Sequence, residues 1–240
     1  MSYAVQPPAR GLRLFGVGVN IDPTWLIFAL FIGSQFWGEV RALGMASSLI
    51  IAVLMVLGLS VSILLHELAH TLTGRAFGMR IDRITLHVFG GIAELHEEPK
   101  TAISELLMAA AGPLLSVVLY FVLKAMVAPL TLMQAPAELT LAVGYLAELN
   151  LVLAIFNMVP AYPMDGGRVL RSLIWLFTGR LGLATRIAAT LGQGFGVLLM
   201  IWGAYVAVFG GDIFAGLWRI VLGAMLMRMA KAGHRAAPQD

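Results

Sequence analysis

Two histidines and a glutamate fall in one short stretch, His66-Glu67-Leu68-Ala69-His70. On a helix, a spacing of four places both imidazoles on one face, one turn apart. Both can then bind a single zinc ion. The glutamate between them can reach a water at that ion and act as general base. A catalytic zinc takes three protein ligands and keeps one position open. This stretch supplies two. The chain has 240 residues and no cysteine, so the third ligand must be His, Asp or Glu.

Asp165 is the expected third ligand. It sits in the stretch Pro160-Ala161-Tyr162-Pro163-Met164-Asp165-Gly166-Gly167. Prolines stop a helix there, and glycines permit tight turns. Irregular backbone at membrane depth is tolerated only when buried in protein or lining a watery cavity. Asp165 could equally cap a helix beginning at Gly166. Glu148 and Glu105 are its rivals, although the depth of Glu148 suits a supporting or packing role better. Asn157 precedes Asp165 by eight residues. Its amide can donate to a developing oxyanion or a substrate carbonyl, or it can close the end of a helix. His87 and His96 are expected at the surface, and Glu97-Glu98 as a solvated face. A site of two histidines and an aspartate does not exclude iron or manganese in place of zinc.

The elements that must position these residues are apolar. Hydrophobic residues make up 60% of the chain and charged residues 12%, with a mean hydropathy of +0.89. A soluble domain is about half apolar and about a quarter charged. The expected fold is therefore an all-α polytopic membrane protein of about six transmembrane helices, with a small β-hairpin or sheet near the cytoplasmic side. The net charge of +3 is too small to indicate a nucleic-acid partner. No charged n-region, apolar core and small-residue cleavage site open the chain, so no cleavable signal peptide is expected.

Spans are expected at about 24–39, 47–74, 103–124, 138–159, 186–209 and 213–230, all within one domain, 1–240. Asp22-Pro23 reads as the start of the first helix, with Asp22 as its N-cap. The 18 steps from Ser48 to His66 cover roughly 27 Å of helix, against a hydrocarbon core of about 30 Å. His66 and His70 thus lie within the membrane near one face. Ionisable groups there are costly and mark functional cavities. Residues 11–20 read as strand-like and 167–178 as a short helix. Pro113 is expected to loosen the third span. Residues 80–95, with Gly90-Gly91 in the middle, read as a β-hairpin. An exposed edge of it, carrying Ile84, Thr85, Leu86, Gly90 and Gly91, could pair with an unwound substrate by strand addition, or the hairpin could merely cover the site. The tail 231–240 is expected to be mobile.

If the N-terminus is cytoplasmic and the spans alternate, 13 of the 16 basic residues fall on the cytoplasmic side. They are Arg10, Arg13, Arg75, Arg80, Arg83, Lys100, Arg168, Arg171, Arg180, Arg186, Arg228, Lys231 and Arg235. The positive-inside rule favours this orientation. It brings His66-Glu67-Leu68-Ala69-His70 and the Asp165 segment to the same cytoplasmic depth.

Four stretches occur in this order: HELAH at 66–70, FGG at 89–91, AAGP at 110–113 and NMVPAYPMDGGR at 157–168. Together they resemble the site-2 protease family of intramembrane zinc metalloproteases, over nearly the whole chain and in a minimal form without appended regulatory domains. The resemblance implies one zinc per chain held by His66, His70 and Asp165, with Glu67 as base and Asn157 assisting substrate positioning or transition-state stabilisation. It also implies substrates that are membrane proteins cut within or near a transmembrane segment, as in regulated intramembrane proteolysis. The expected location is the plasma membrane of a prokaryote. Ser116 stands where many members have Asn, and Met164 where Leu is frequent. Neither touches the metal chemistry.

Two readings from other classes remain. A zinc-binding transporter would more readily show inverted repeats and polar residues spaced along a pore; neither is found. An inactive helix-binding scaffold is disfavoured by Glu67 standing beside intact ligands. Nothing in the sequence speaks to oligomeric state.

Overall fold

A computed structural model describes residues 12–87, 90–95 and 99–239. Arg10, Val88, Phe89, His96, Glu97 and Glu98 lie outside the described residues. The chain is mainly helical, with helices α1 (Trp25–Val40), α2 (Met45–Ala76), α3 (Ala102–Leu132), α4 (Ala137–Asn157), α5 (Asp165–Thr178), α6 (Leu181–Phe209) and α7 (Ile213–Arg235). Four strands are β1 (Arg13–Leu14), β2 (Val17–Ile21), β3 (Ile81–His87) and β4 (Gly90–Leu95).

Five helices, α2, α3, α4, α6 and α7, are long and apolar enough to cross a membrane, and the protein is an integral membrane protein. The first expected span, α1, is the shortest of the six. Helix α1 has 16 residues, about 24 Å at 1.5 Å each, against a core of about 30 Å. Its N-cap is Thr24, two residues past the expected cap. The Asp22 carboxylate accepts from Oγ1 and N of Thr24 at 2.6 and 2.8 Å, so it closes a turn ahead of the helix instead of capping it. These two bonds hold the Asp22 carboxyl below the usual carboxylate range.

Other boundaries move outward. Helix α3 runs unbroken through Pro113 and on to Leu132, past Lys124, whose charge reads in the sequence as the end of a span. Lys124 pairs with Glu148 of α4, which lets the helix carry it. Helix α6 begins at Leu181, five residues before Arg186. Helix α7 continues to Arg235, through half of the expected mobile tail.

Two compact units share the chain: Met1–Glu98 with Leu119–Asn150, and Pro99–Val118 with Leu151–Asp240. In the first, α2 and α4 pack through Ile51, Met55 and Ala142, joined by Val40 at the end of α1. Phe36 meets Tyr145 edge-on, with ring centroids 5.6 Å apart. Asn150, fully buried on α4, donates from Nδ2 to Ser62 Oγ of α2 at 2.9 Å. The sheet of this unit has the order β1-β2-β3-β4. β1 and β2 are antiparallel, β2 and β3 parallel, and β3 and β4 antiparallel. The expected hairpin is thus present as β3–β4. Arg75, in the last turn of α2, ties that helix to the sheet. Its Nε donates to Ile81 O at 2.9 Å and its Nη1 to Phe15 O at 3.0 Å.

In the second unit, α6 and α7 cross closely because each places glycines at the contact. A Cβ on Gly196 would come within 2.7 Å of Gly223 O, and one on Gly203 within 2.7 Å of Gly216 O. Small residues let membrane helices approach to backbone distance in this way. Ala161, Met164, Leu199 and Leu226 form the core there. Helix α5 buries polar and small residues and exposes apolar ones at its end. It buries Gly166, Gly167, Arg171 and Ser172 and leaves Leu176 and Phe177 exposed. This is the pattern expected of a helix whose outer face meets lipid and whose polar residues face protein.

Candidate metal centre

His66 and His70 lie on one face of α2, as the spacing requires, and are 2% and 8% exposed. Their rings stand nearly perpendicular, at 77°, and their Nε2 atoms are 3.1 Å apart. Two nitrogens each about 2.0–2.1 Å from a tetrahedral zinc would be about 3.3 Å apart. The pair therefore presents the two nitrogens at the separation one ion needs. Which ring nitrogen carries a proton follows from its partner; a shared ion requires the Nε2 positions bare. Glu67, the next residue, is half-buried.

Asp165 is the first residue of α5, and Met164 occupies the N-cap. The capping alternative for Asp165 is thereby removed. A carboxylate in the first turn also sits favourably against the helix dipole. The segment before it is built for close approach. A Cβ on Gly166 would strike the carbonyls of Met158 and Val159, and one on Gly167 would strike the Ala161–Tyr162 backbone. Both glycines of the Asp-Gly-Gly sequence are thus required by packing. Tyr162 N donates to Ala188 O of α6 at 3.1 Å, and the Tyr162–Pro163 peptide is cis.

Both rival ligands are engaged elsewhere. Glu148 pairs with Lys124, and both side chains are about half exposed, at 50% and 53%. Glu105 is fully buried and accepts from Arg171 Nε at 2.8 Å, with Arg171 Nη2 donating to the same oxygen. His66, His70 and Asp165 are the candidate donors. The donor set, two imidazoles and a carboxylate, suits zinc.

Asn157 ends α4 and donates from Nδ2 to Leu153 O at 3.0 Å. This is the helix-end bond, and it leaves the second amide hydrogen for another acceptor. His87, expected at the surface, is partly exposed at the end of β3. His234 is exposed near the end of α7.

The substrate edge read from the sequence needs correction. β3 is an inner strand, paired on one side with β2 and on the other with β4. Ile84 and Leu86 are buried, at 0% and 2%, and Thr85 is half-buried. Their backbone groups are spent within the sheet, so they offer no edge. Gly90 and Gly91 belong to β4, which has one strand neighbour among the described residues. The parallel partner β2 lies some sixty residues upstream, and no local pattern in the sequence signals that pairing.

Sequence reasoning also missed what Arg75 and Arg171 do. Both were counted as markers of topology, whereas each is a multiple donor joining elements far apart in sequence.

The chain is similar to proteins of known kind. The family model for peptidase family M50 matches residues 54–141 and 126–202. A Synechocystis protein bearing the name "Putative zinc metalloprotease sll0528" is 32% identical over 227 residues, covering 93% of this chain and 59% of the relative. Zinc metalloprotease MJ0392 of Methanocaldococcus jannaschii is 32% identical over 206 residues, covering 85% of this chain and 55% of the relative. The chain thus spans somewhat over half the length of these relatives. A solved structure, the site-2 protease from Methanocaldococcus jannaschii, shares the fold with a TM-score of 0.63 at 24% identity, over 95% of this chain and 96% of that one. With the family model matching more than half of its length, this chain belongs to peptidase family M50, the site-2 protease family.

Proposed function

We propose that this protein is an intramembrane zinc metalloprotease that hydrolyses peptide bonds within or near transmembrane segments of other membrane proteins. The observation that carries the reading is the 3.1 Å separation of His66 Nε2 and His70 Nε2, with Glu67 between them on α2. His66, His70 and Asp165 would hold one zinc per chain. Family membership and the names of the relatives support the metal and the reaction.

Zinc, when bound, supplies Lewis acidity and lowers the pKa of a water at its open position to about 7. Glu67 takes a proton from the attacking water and returns it to the departing amine nitrogen. The free amide hydrogen of Asn157 donates to the carbonyl oxygen as negative charge gathers there.

A helical peptide bond is shielded by its own turn, so the substrate must unwind. The unwound segment pairs with the open side of β4, starting at Gly90 and Gly91, where main-chain groups give affinity without demanding a sequence. The basic residues orient the N-terminus and the metal site toward the cytoplasm, in the plasma membrane of a prokaryote. Regulated proteolysis of a membrane-tethered protein is the role this placement suits.

The test is Glu67→Gln in liposomes carrying a transmembrane substrate panel. The expected result is loss of cleavage by several orders of magnitude with zinc content unchanged. Cleavage by Glu67→Gln at the parent rate would overturn the assignment of the base, and zinc flux into the liposomes would favour a transporter instead.

A further inference from the structure

Glu105 and Arg171 are charged, buried and used by no step of the proposed chemistry. Glu105 lies in the first turn of α3 with no exposed surface, and Arg171, in the middle of α5, is 7% exposed. Arg171 gives Nε and Nη2 to one oxygen of Glu105. Arg168, one turn earlier on α5, holds its Nε 3.6 Å from that same oxygen. A second contact faces the other way. The Arg171 guanidinium carbon lies 5.8 Å from the centroid of the Tyr162 ring. Tyr162 itself has little freedom, since neither Gly192 nor Gly233 has room for a Cβ beside it.

Asp165 lies between these contacts, three residues after Tyr162 and six before Arg171. Its segment is therefore gripped on both sides by one guanidinium, which is itself anchored on α3. Stability alone does not explain such a pair. Desolvating two charges offsets most of their attraction, and apolar side chains of similar volume commonly do as well. What an apolar pair does not supply is the planar fork that fixes the rotation and register of a helix. Losing a group that orients a metal ligand typically costs about 10–100-fold in metal affinity.

We infer that Glu105 and Arg171 are positioning residues, a clamp that sets the direction of the Asp165 carboxylate by holding α5 to α3 and to Tyr162. This rests on the zinc reading above and adds to it two residues outside the ligand set.

The experiment measures zinc affinity by chelator competition, together with the unfolding midpoint in detergent, for the parent and three variants. Arg171→Lys keeps the charge and loses the fork. Glu105→Gln keeps the shape and loses the charge. Glu105→Leu with Arg171→Met removes both charges and keeps the volume, so it remains informative if a single variant fails to fold. The expected result is zinc affinity weaker by about 10–100-fold in each folded variant. The double variant should regain the parent's midpoint without regaining its zinc affinity. Where a substrate is in hand, kcat should fall with KM little changed. A double variant that recovers both midpoint and zinc affinity would make the pair a packing device only and overturn the inference. Parent-like zinc affinity in all three would do the same. A parent that binds no zinc would overturn the metal reading itself, and this inference with it.

Discussion

Asn150 on α4 donates to Ser62 on α2 at 2.9 Å, 88 residues away in sequence and fully inside the protein. Ser62 lies one turn before His66 on the same helix. The same amide also donates to Leu146 O at 2.8 Å, and Asn150 Oδ1 is buried with no hydrogen-bond partner among the described residues. This is the polar joint between the helix that carries the histidines and its neighbour in the first unit. Removing one partner of a buried bond costs about 1–3 kcal/mol. Asn150→Ala is therefore expected to lower stability by about that amount, and Ser62→Ala by less, because Leu146 O still accepts. Reversible unfolding in detergent measures both. Equal midpoints for parent and Asn150→Ala would show that the joint contributes nothing.

The Asp165 segment is packed against glycine, so added methyl groups should discriminate sharply. A Cβ on Gly192 would strike Tyr162 O, whereas one on Gly194 meets nothing within 4 Å. Gly192→Ala is expected to destabilise by about 1–3 kcal/mol through overpacking and to weaken zinc binding. Gly194→Ala, on the same helix, should be neutral or stabilise by up to about 1 kcal/mol. Thermal unfolding and zinc content of the two variants make the comparison. Similar losses for both would contradict the close approach of α6 to Tyr162.

Strand addition at β4 has its own signature. A proline removes one backbone donor, and donors along a strand alternate in direction. Prolines placed singly at Gly91, Ile92, Ala93 and Glu94 should therefore divide into two sets. Where the lost N–H faces away from β3, cleavage should fall tenfold or more with zinc retained. Where it faces β3, the hairpin itself should weaken, which amide exchange in β3 would detect. Unchanged cleavage in all four would remove β4 as the substrate edge.

Much of this is local chemistry and could be read from local sequence. The histidine spacing implies a shared helix face, and α2 provides it. The glycines at 90–91 imply a hairpin, and β3 and β4 do pair, although both glycines stand in β4 opposite His87 and Leu86. Apolar runs mark six spans, each of which is a helix in the structure, with errors where a charge stands near an end. Lys124 and Arg186 read as boundaries because an unpaired cation is costly in a bilayer. Lys124 is paired across to α4, which no local pattern reveals. The parallel pairing of β2 with β3 was hidden for the same reason, being non-local, and that pairing is what turns β3 from an edge into an inner strand. Arg75 and Arg171 show the general case: their residue type was plain, and Phe15, Gly16 and Glu105, which they reach, lie 59–66 residues away.

The most direct measurement is zinc per chain in the purified protein, beside His66→Ala, Asp165→Ala and Glu67→Gln. Two ligand-bearing segments nearly a hundred residues apart are proposed to hold one ion with the base beside it. The expected counts are about one zinc in the parent and in Glu67→Gln, and affinity lost or sharply reduced in His66→Ala and Asp165→Ala. Zinc bound as tightly without Asp165 as with it would contradict the account.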